Sequence, residues 1–299
     1  MNITTTSNNL KLNRSTLPGL YQSAAAASRN AQSFYFLCLK SYLILLVAAA
    51  LVSFRWPKDS SAVIVSAALF LITLGILITL RVKRPDDLWY KARVVAESVK
   101  TMAWRWSMGA EPYTDMDNVE TVSQQFINDL KNILNQNRSL SGSLQSDTGI
   151  LDPISETMLR IRGLSVKERL EIYKEQRIKD QAIWYSRQSQ FNKHRAQQWF
   201  LISVIFHAVA IAMLLYKIKR PELSLPIEVV ATAAAAVLTW LQAKKFNELN
   251  SSYQLAAHEI GLIEGESLLV KTEKDLSGFV ANSETAFSRE HKQWAARKT

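Results

Sequence analysis

The stretch AVIVSAALFLITLGILITL, residues 62–80, decides the fold class of this chain. It carries no charged residue, and a helix needs about 20 predominantly apolar residues to cross a hydrocarbon core. Three further apolar stretches lie at residues 34–54, 200–216 and 227–241. The mean hydropathy of the whole chain is only -0.04, because the segments between these stretches are strongly polar. The pattern predicts an all-α, polytopic membrane protein with four transmembrane helices.

Four buried helices of a large soluble core are the alternative explanation of these stretches. The polar segments hold no amphipathic helices apolar enough to surround four such helices, which favours the membrane. The first apolar stretch begins only after residue 33, too far into the chain for an ordinary secretory signal peptide. The single cysteine, Cys38, excludes an intramolecular disulfide. We therefore expect the soluble parts to be cytosolic, where disulfides are rare.

Basic residues flank the predicted spans unequally. One side carries Arg81, Lys83, Arg84, Lys193, Arg195, Lys244 and Lys245. On the other side, the first short loop is nearly neutral, while the second, at 217–228, disagrees with the rule that basic loops stay inside. Three basic flanks outweigh that loop, and the net charge of +10 suits anionic lipid. We predict a membrane protein whose N-terminus, central region and C-terminus are cytosolic.

The four spans form two hairpins with long cytosolic helical extensions. No Gly or Pro occurs in residues 165–219, and Ser165 with Glu168 forms an S-x-x-E capping box. These features predict one unbroken helix from Ser165 through the third span. The fourth span is expected to continue as a helix past Lys245, with its apolar residues on one stripe.

The first half of the chain repeats the plan of the second. Arg29-x-x-Gln32-x-Phe34 enters the first span, and Arg195-x-x-Gln198-x-Phe200 enters the third. This repeat suggests an ancient duplication of a two-span unit. We predict a basic N-terminal arm at 1–33, a first two-span unit at 34–110, a connector at 111–164 and a second unit at 165–299. Within the connector, residues 118–138 are expected to be helical and 139–152 to be a flexible linker.

Short motifs beside both hairpins resemble those of the SLATT family. The second half carries Trp184-Tyr185, Asn192, Arg195, Trp199, Tyr253-x-x-x-Ala257-x-Glu259 and Ser288-Arg289-Glu290-His291-x-x-Trp294. The first half carries Arg84-Pro85, Trp89-Tyr90-x-x-Arg93, Ala96-Glu97-Ser98 and Trp104. The resemblance implies an effector of bacterial conflict systems that forms pores in the bacterial inner membrane. The tandem arrangement is similar to the effector of Hailong-type antiphage systems, which implies a nucleotidyltransferase partner that makes a nucleotide signal.

Motifs for catalysis and metal binding are missing from the sequence. There is no Gly-rich phosphate loop, and His258-Glu259 lacks the second histidine of a zinc helix, since Leu262 stands there. The four histidines have no ligand spacing, and Asp115-x-Asp117 lacks the rest of a calcium loop. We therefore expect no catalytic site, metal or cofactor, and a protein that is not an enzyme.

Polar residues recur at helical spacing inside the spans. The candidates for pore lining or span packing are Ser66, Thr73, Ser203, His207, Thr232, Ala235 and Thr239. Packing between helices is one explanation, and a water-lined path in a homo-oligomer is the other. Ser203 and His207 lie one turn apart, so a catalytic dyad of an intramembrane protease is a third explanation for that pair. The alanines around Ala235 make the fourth span slim, which favours close contact with a neighbour.

Charged residues just outside the spans are the candidates for ligand binding or regulation: Arg93, Glu97, Arg195, His258 and Glu259. An interhelical salt-bridge network explains them as well as a ligand does. Together with nearby tryptophans, the basic residues suit a nucleotide or a single-stranded oligonucleotide. The predicted function is a pore-forming membrane effector opened or closed by such a signal. The alternative is a non-conducting membrane-anchored scaffold or sensor.

Overall fold

The computed structural model describes residues 10–296, with side chains up to residue 288. The predicted motif residues Arg289, Glu290, His291 and Trp294 therefore lie outside the described side chains, and residues 1–9 of the predicted arm lie outside the described backbone. Within this range no strand occurs, so the all-α prediction is confirmed. The α-helices are α1 Gly19–Arg55, α2 Ser60–Lys83, α3 Pro85–Met108, α4 Val119–Gln136, α5 Glu156–Arg162, α6 Val166–Tyr173, α7 Lys179–Lys219, α8 Ile227–Lys244, α9 Phe246–Glu266 and α10 Glu273–Ala296.

Four of the described helical stretches are long and apolar enough to cross a membrane, as the sequence predicted. They contain α1, α2, α7 and α8, and no more than 17% of any of their apolar windows is buried inside the chain. A bundle with apolar residues on its outside is the arrangement that lipid tails favour. The chain is therefore a polytopic α-helical membrane protein.

The chain divides into two compact units. The membrane unit comprises Ser33–Pro85 and Arg187–Tyr253, and thus holds all four predicted spans. The polar unit comprises Met1–Gln32, Asp86–Ser186 and Gln254–Thr299. Each unit contains segments from both halves of the sequence. The helices α1, α7 and α9 each contribute residues to both units.

The predicted capping box begins the long helix of the second half. The Ser165 hydroxyl accepts a hydrogen bond from the Glu168 backbone N–H, and the Glu168 carboxylate accepts one from the Ser165 N–H. Helical structure then continues from Val166 to Lys219. It contains a π-helical turn, Lys174–Ile178, that the sequence pattern did not predict. Such turns insert an extra residue and are frequent at functional sites.

The predicted helix past Lys245 is present as α9, but the helical stretch is interrupted at Lys245 itself. The Lys245 backbone is left-handed, with φ 51°, and its N–H donates to the Leu241 carbonyl oxygen at 3.0 Å. This geometry ends α8, and α9 begins at Phe246. A lysine at such a position carries no sequence signal, since glycine and asparagine are the residues typical of a helix end of this kind.

The connector is more ordered than a flexible linker. Its helix α4 confirms the helix predicted at 118–138, with the Asn118 side chain accepting from the Thr121 N–H. The predicted linker contains two 3-10 turns, Arg138–Ser143 and Asp147–Ile150. Leu140 is buried, and the Gln145 N–H donates to the Ser23 hydroxyl of α1 at 2.6 Å. One apolar side chain and one backbone bond thus hold the segment to the polar unit.

The helices of the membrane unit contact one another through small and aromatic side chains. Ser53 of α1 and Ser66 of α2 lie 3.1 Å apart through their hydroxyls. The Lys244 ammonium lies 3.4 Å from the ring centre of Phe36, whose ring in turn contacts Trp240. Trp199 of α7 packs on Trp240 as well, at 6.2 Å between ring centres. This aromatic cluster joins three helices where amphipathic rings are favoured, at the end of the spans.

Candidate functional site

A buried carboxylate of the polar unit is hydrogen-bonded by several helices. Glu284 of α10 is completely buried and accepts two hydrogen bonds from Arg177, from Nε and Nη2, each at 2.7 Å. Thr101 of α3 donates to the same carboxylate at 2.8 Å, and the Tyr173 hydroxyl donates at 3.1 Å. Four donors satisfy one carboxylate, so this cluster connects α3, α6, the π-helical turn and α10.

The electrostatics of the cluster keep Arg177 charged and Tyr173 neutral. Burial lowers the pKa of Arg177, but the charge and hydrogen bonds of Glu284 outweigh it, and the net pKa is raised. Burial, with the nearby Glu284 charge, raises the pKa of Tyr173 well above its usual value. Breaking a buried ion pair by removing one partner typically costs about 3–5 kcal/mol. The pair therefore constrains how these helices pack.

Two further buried arginines close the end of α3. Arg162 donates to the carbonyl oxygens of Trp106, Tyr113 and Asp115. Arg169 donates to the Met108 carbonyl at 2.5 Å and also pairs with Glu273. The last carbonyl groups of a helix have no partners within the helix, and a cation near them also interacts favourably with the negative end of the helix dipole. These arginines therefore stabilise the turn between α3 and α4.

A cleft of about 1130 Å³ opens beside the buried cluster, inside the polar unit. Its walls are the N-terminal arm, α3, α6 and the start of α7. The Leu12 N–H donates to the Gln176 side chain at 2.9 Å, and that side chain donates back to the Leu10 carbonyl at 2.6 Å. Gln176 belongs to the π-helical turn, so this paired contact fixes the arm against the second half of the chain.

The predicted ligand residues belong to both units. Arg93 and Glu97 pair with each other along α3, with 3.3 Å between Nε and Oε1. Arg195 belongs to the membrane unit, where it bonds the Gln198 side chain at 3.2 Å. His258 and Glu259 are exposed on α9. The structure thus shows a local salt bridge between Arg93 and Glu97.

The polar residues of the spans divide into two groups. Ser66 and Thr73 are buried within the membrane unit, as packing residues are. Thr232 and Thr239 donate to carbonyl oxygens one turn earlier on α8, at 2.7 and 2.9 Å. His207 donates through Nδ1 to the backbone carbonyl of Ser203 at 2.7 Å. The contact with the backbone does not use the Ser203 hydroxyl, so it does not form the nucleophile–base pair of a protease.

Helices α7 and α8 each have a face that no other described helix of the chain covers. No residue in the most apolar 18-residue window of the third span is buried. His207 is exposed there. On α8 the exposed positions follow one helical stripe: Glu228, Ala231, Ala235, Leu238, Thr239 and Gln242. We call this set the α8 stripe; it is slim along its middle and polar at both ends.

Arg177 and Glu284 were not predicted as site residues. Their signal in the sequence is a charge on an apolar helix face: Glu284 follows Phe279 and Val280 along the buried side of α10. Arg177 lies one turn after Tyr173 on a buried stripe. A charge at such a position needs a partner. The sequence gives no means of choosing that partner among many candidates.

Two hairpins of apolar helices, with a separate polar helical unit, define a membrane protein built from two two-span halves. Residues 18–170 match the family model SLATT_3, the SMODS and SLOG-associating 2TM effector domain 3. Residues 173–294 match SLATT_1, the SMODS and SLOG-associating 2TM effector domain 1. The chain belongs to the SLATT family and carries two of its domains in tandem, which confirms the predicted resemblance. The family consists of two-span effector domains of conflict and defence systems.

No curated protein and no solved structure matches this chain.

Proposed function

We propose that this protein is a pore-forming effector of bacterial antiphage defence, acting as a homo-oligomer in the inner membrane under the control of a cytosolic nucleotide signal. It needs no catalytic step of its own. The observation that carries the proposal is the exposed His207 on a third span whose most apolar window buries no residue within the chain.

Exposing the imidazole side chain of a histidine to lipid within a span costs free energy. His207 lies seven residues after Phe200, the predicted start of the span, which is about 10 Å along a helix axis. Ionisable residues at such depth usually face a water-filled cavity or another helix. Within the described chain no helix covers His207. We therefore infer that its side chain contacts water, a second copy of the chain, or both.

The α8 stripe supports assembly from several copies. Small residues allow two helices to approach closely in a membrane, and Ala231 and Ala235 leave the middle of α8 slim. Thr239 and Gln242 add polar groups on the same face. One chain supplies four spans, and an oligomer in which α7 or α8 lines the centre would enclose a path with polar groups at His207 or at the two ends of the α8 stripe.

Ion flux from liposomes containing the purified full chain tests this function. We expect the wild-type protein to release entrapped potassium, either alone or on adding candidate nucleotides. H207L should change the rate of potassium release severalfold, because it replaces the imidazole with an apolar side chain. V204L, an exposed apolar change on the same span, is the matched control and should leave the rate unchanged.

A protein that inserts fully yet leaves the liposomes sealed under all these conditions would contradict the pore. The non-conducting scaffold or sensor would then be the better description. Overexpression in cells gives a second readout, since the pore predicts loss of membrane potential and growth arrest at normal membrane abundance.

A further inference from the structure

The end of the N-terminal arm, residues 10–17, contains a hydrogen-bonded turn, and we call this segment the strap. The Asn13 side chain accepts hydrogen bonds from the N–H and the hydroxyl of Ser15, at 2.9 and 2.7 Å. The Asn13 N–H donates to the Thr16 hydroxyl at 2.9 Å. Gln22 of α1 donates to two carbonyl oxygens of the strap, at 3.2 and 3.0 Å. The strap is therefore shaped by its own polar groups and attached to α1.

The strap is joined to the second half of the chain by one side chain of the π-helical turn. Gln176 accepts a hydrogen bond from the Leu12 N–H at 2.9 Å and donates to the Leu10 carbonyl oxygen at 2.6 Å. Among the described residues, no other hydrogen bond or ion pair links the strap to the second half. Leu12 is buried, whereas residues 11 and 13–15 are exposed. So small a contact can open locally while the polar unit stays folded.

Exposed charges add a weaker attraction across the cleft. The strap contributes Lys11 and Arg14 to its lining. The wall formed by α6, the π-helical turn and α7 contributes four carboxylates: Glu168, Glu171, Glu175 and Asp180. None of these six side chains is buried. Attraction between charges in contact with water is weak and is screened by salt, so added salt should loosen the strap.

The π-helical turn is a place where the long helix of the second half can change register. The Lys179 N–H donates to the Lys174 carbonyl oxygen, five residues earlier instead of four. Conversion of this turn to α-helix would rotate α7 by about 100° relative to α6, and α7 carries the third span. Arg177 bonds this turn to Glu284, and Gln176 bonds it to the strap. The strap therefore opposes a change in the register of α7.

We propose that the strap is an autoinhibitory clamp on the π-helical turn, and that its release from Gln176 activates the effector. The strap precedes the first SLATT domain, and the turn lies at the start of the second, so the clamp joins the two halves. A contact that opens more easily than the fold suits a state that a signal has to end. The inference rests on the proposed pore and adds its regulation.

Limited trypsin digestion of the detergent-solubilised full chain measures the clamp directly. The peptide bond after Lys11 contains the Leu12 N–H that Gln176 accepts, so release exposes this bond to trypsin. We expect cleavage after Lys11, followed by mass spectrometry, to be at least about tenfold faster in Q176L, which removes both hydrogen bonds. Added salt should also speed it in the wild type. Q181L is the matched control, since Gln181 lines the same cleft and forms no hydrogen bond within the described residues.

Potassium release from liposomes measures the inhibition. Q176L and L12D break the same contact from its two sides, and both should release potassium severalfold faster than the wild type without any nucleotide. L12D leaves the residues of the π-helical turn unchanged, so it separates loss of the strap from a direct effect on the turn. Q181L should behave as the wild type does. Growth arrest in cells, at equal membrane abundance, is the second readout.

Two outcomes would overturn the clamp. One is cleavage after Lys11 that is no faster in Q176L than in the wild type. The other is faster cleavage in Q176L and L12D without any gain in potassium release over a conducting wild type. Failure of the pore gives a different result, in which neither the wild type nor any variant releases potassium. Growth arrest by Q176L and L12D alone would then keep the clamp and reject the pore, and its absence would reject both.

Discussion

Arg84 and Lys245 have the same left-handed backbone at the same place in the two halves of the chain. Their φ angles are 42° and 51°, and each ends a span by donating its N–H to a leucine carbonyl four residues earlier. In both halves the preceding lysine lies over a phenylalanine ring of α1, Lys83 over Phe34 and Lys244 over Phe36. This correspondence extends the repeat that the sequence motifs suggested.

Glycine at Lys245 should stabilise the protein. A left-handed backbone costs an ordinary residue roughly 1–2 kcal/mol, and glycine avoids that strain while losing some entropy on folding. We expect K245G to raise the thermal midpoint in detergent by about 2 °C. K245A removes the same charge without relieving the strain, so it should give no gain. A midpoint that falls in K245G would contradict a strained backbone at this position.

Removing the buried carboxylate should destabilise the polar unit strongly. E284Q leaves Arg177 buried without a counter-ion, at a cost of about 3–5 kcal/mol. The exposed pair of Glu156 and Arg160 offers a control, since E156Q should cost less than about 1 kcal/mol. Thermal unfolding, followed by limited proteolysis of the polar unit, measures both.

Replacing both charged residues of the same cluster with methionine separates the effect of the ion pair from the effect of packing. Because the unpaired charge causes most of the damage in E284Q, the double variant R177M/E284M should recover much of the lost stability. Equal losses in the single and double variants would show that packing, rather than the ion pair, holds these helices.

Membrane topology follows from the basic flanks of the spans. Reporter fusions after Lys58 and after Glu222 should be periplasmic, and a fusion after Gln145 should be cytosolic. Paired alkaline phosphatase and fluorescent protein fusions distinguish the two sides at each position. A periplasmic signal at Gln145 would reverse the orientation proposed for the whole chain.

Tryptophan substitutions at two adjacent alanines of α8 distinguish an effect on assembly from an effect on folding. Ala235 is exposed on the α8 stripe, while Ala234 is buried within its own chain. A235W should disrupt a homo-oligomer and leave the monomer folded, as seen by native mass spectrometry in mild detergent. A234W overfills the packed interior and should lower membrane abundance instead. Only monomers in the wild-type spectrum would rule out the assembly.

Local patterns in the sequence were enough to predict the four spans, the α4 helix and the capping box at Ser165. Each of these depends on residues within a few turns of one another, so hydropathy and spacing carry the signal. Packing was one of two explanations left open for Ser66 and Thr73, and both side chains are buried within the chain. The helix end at Lys245 was missed because lysine is not a typical residue for a left-handed position.

The sequence by itself therefore determined the class of protein, a tandem two-span membrane protein, since apolar length alone decides whether a helix can cross a bilayer. Only the tertiary structure decided the partners of the buried charges. Arg177 and Glu284 are 107 residues apart in the chain, and the arm reaches Gln176 from more than 160 residues away. Periodicity shows that a charge faces inward, but only the packing of helices distant in sequence shows which group it meets and which donors stay unpaired.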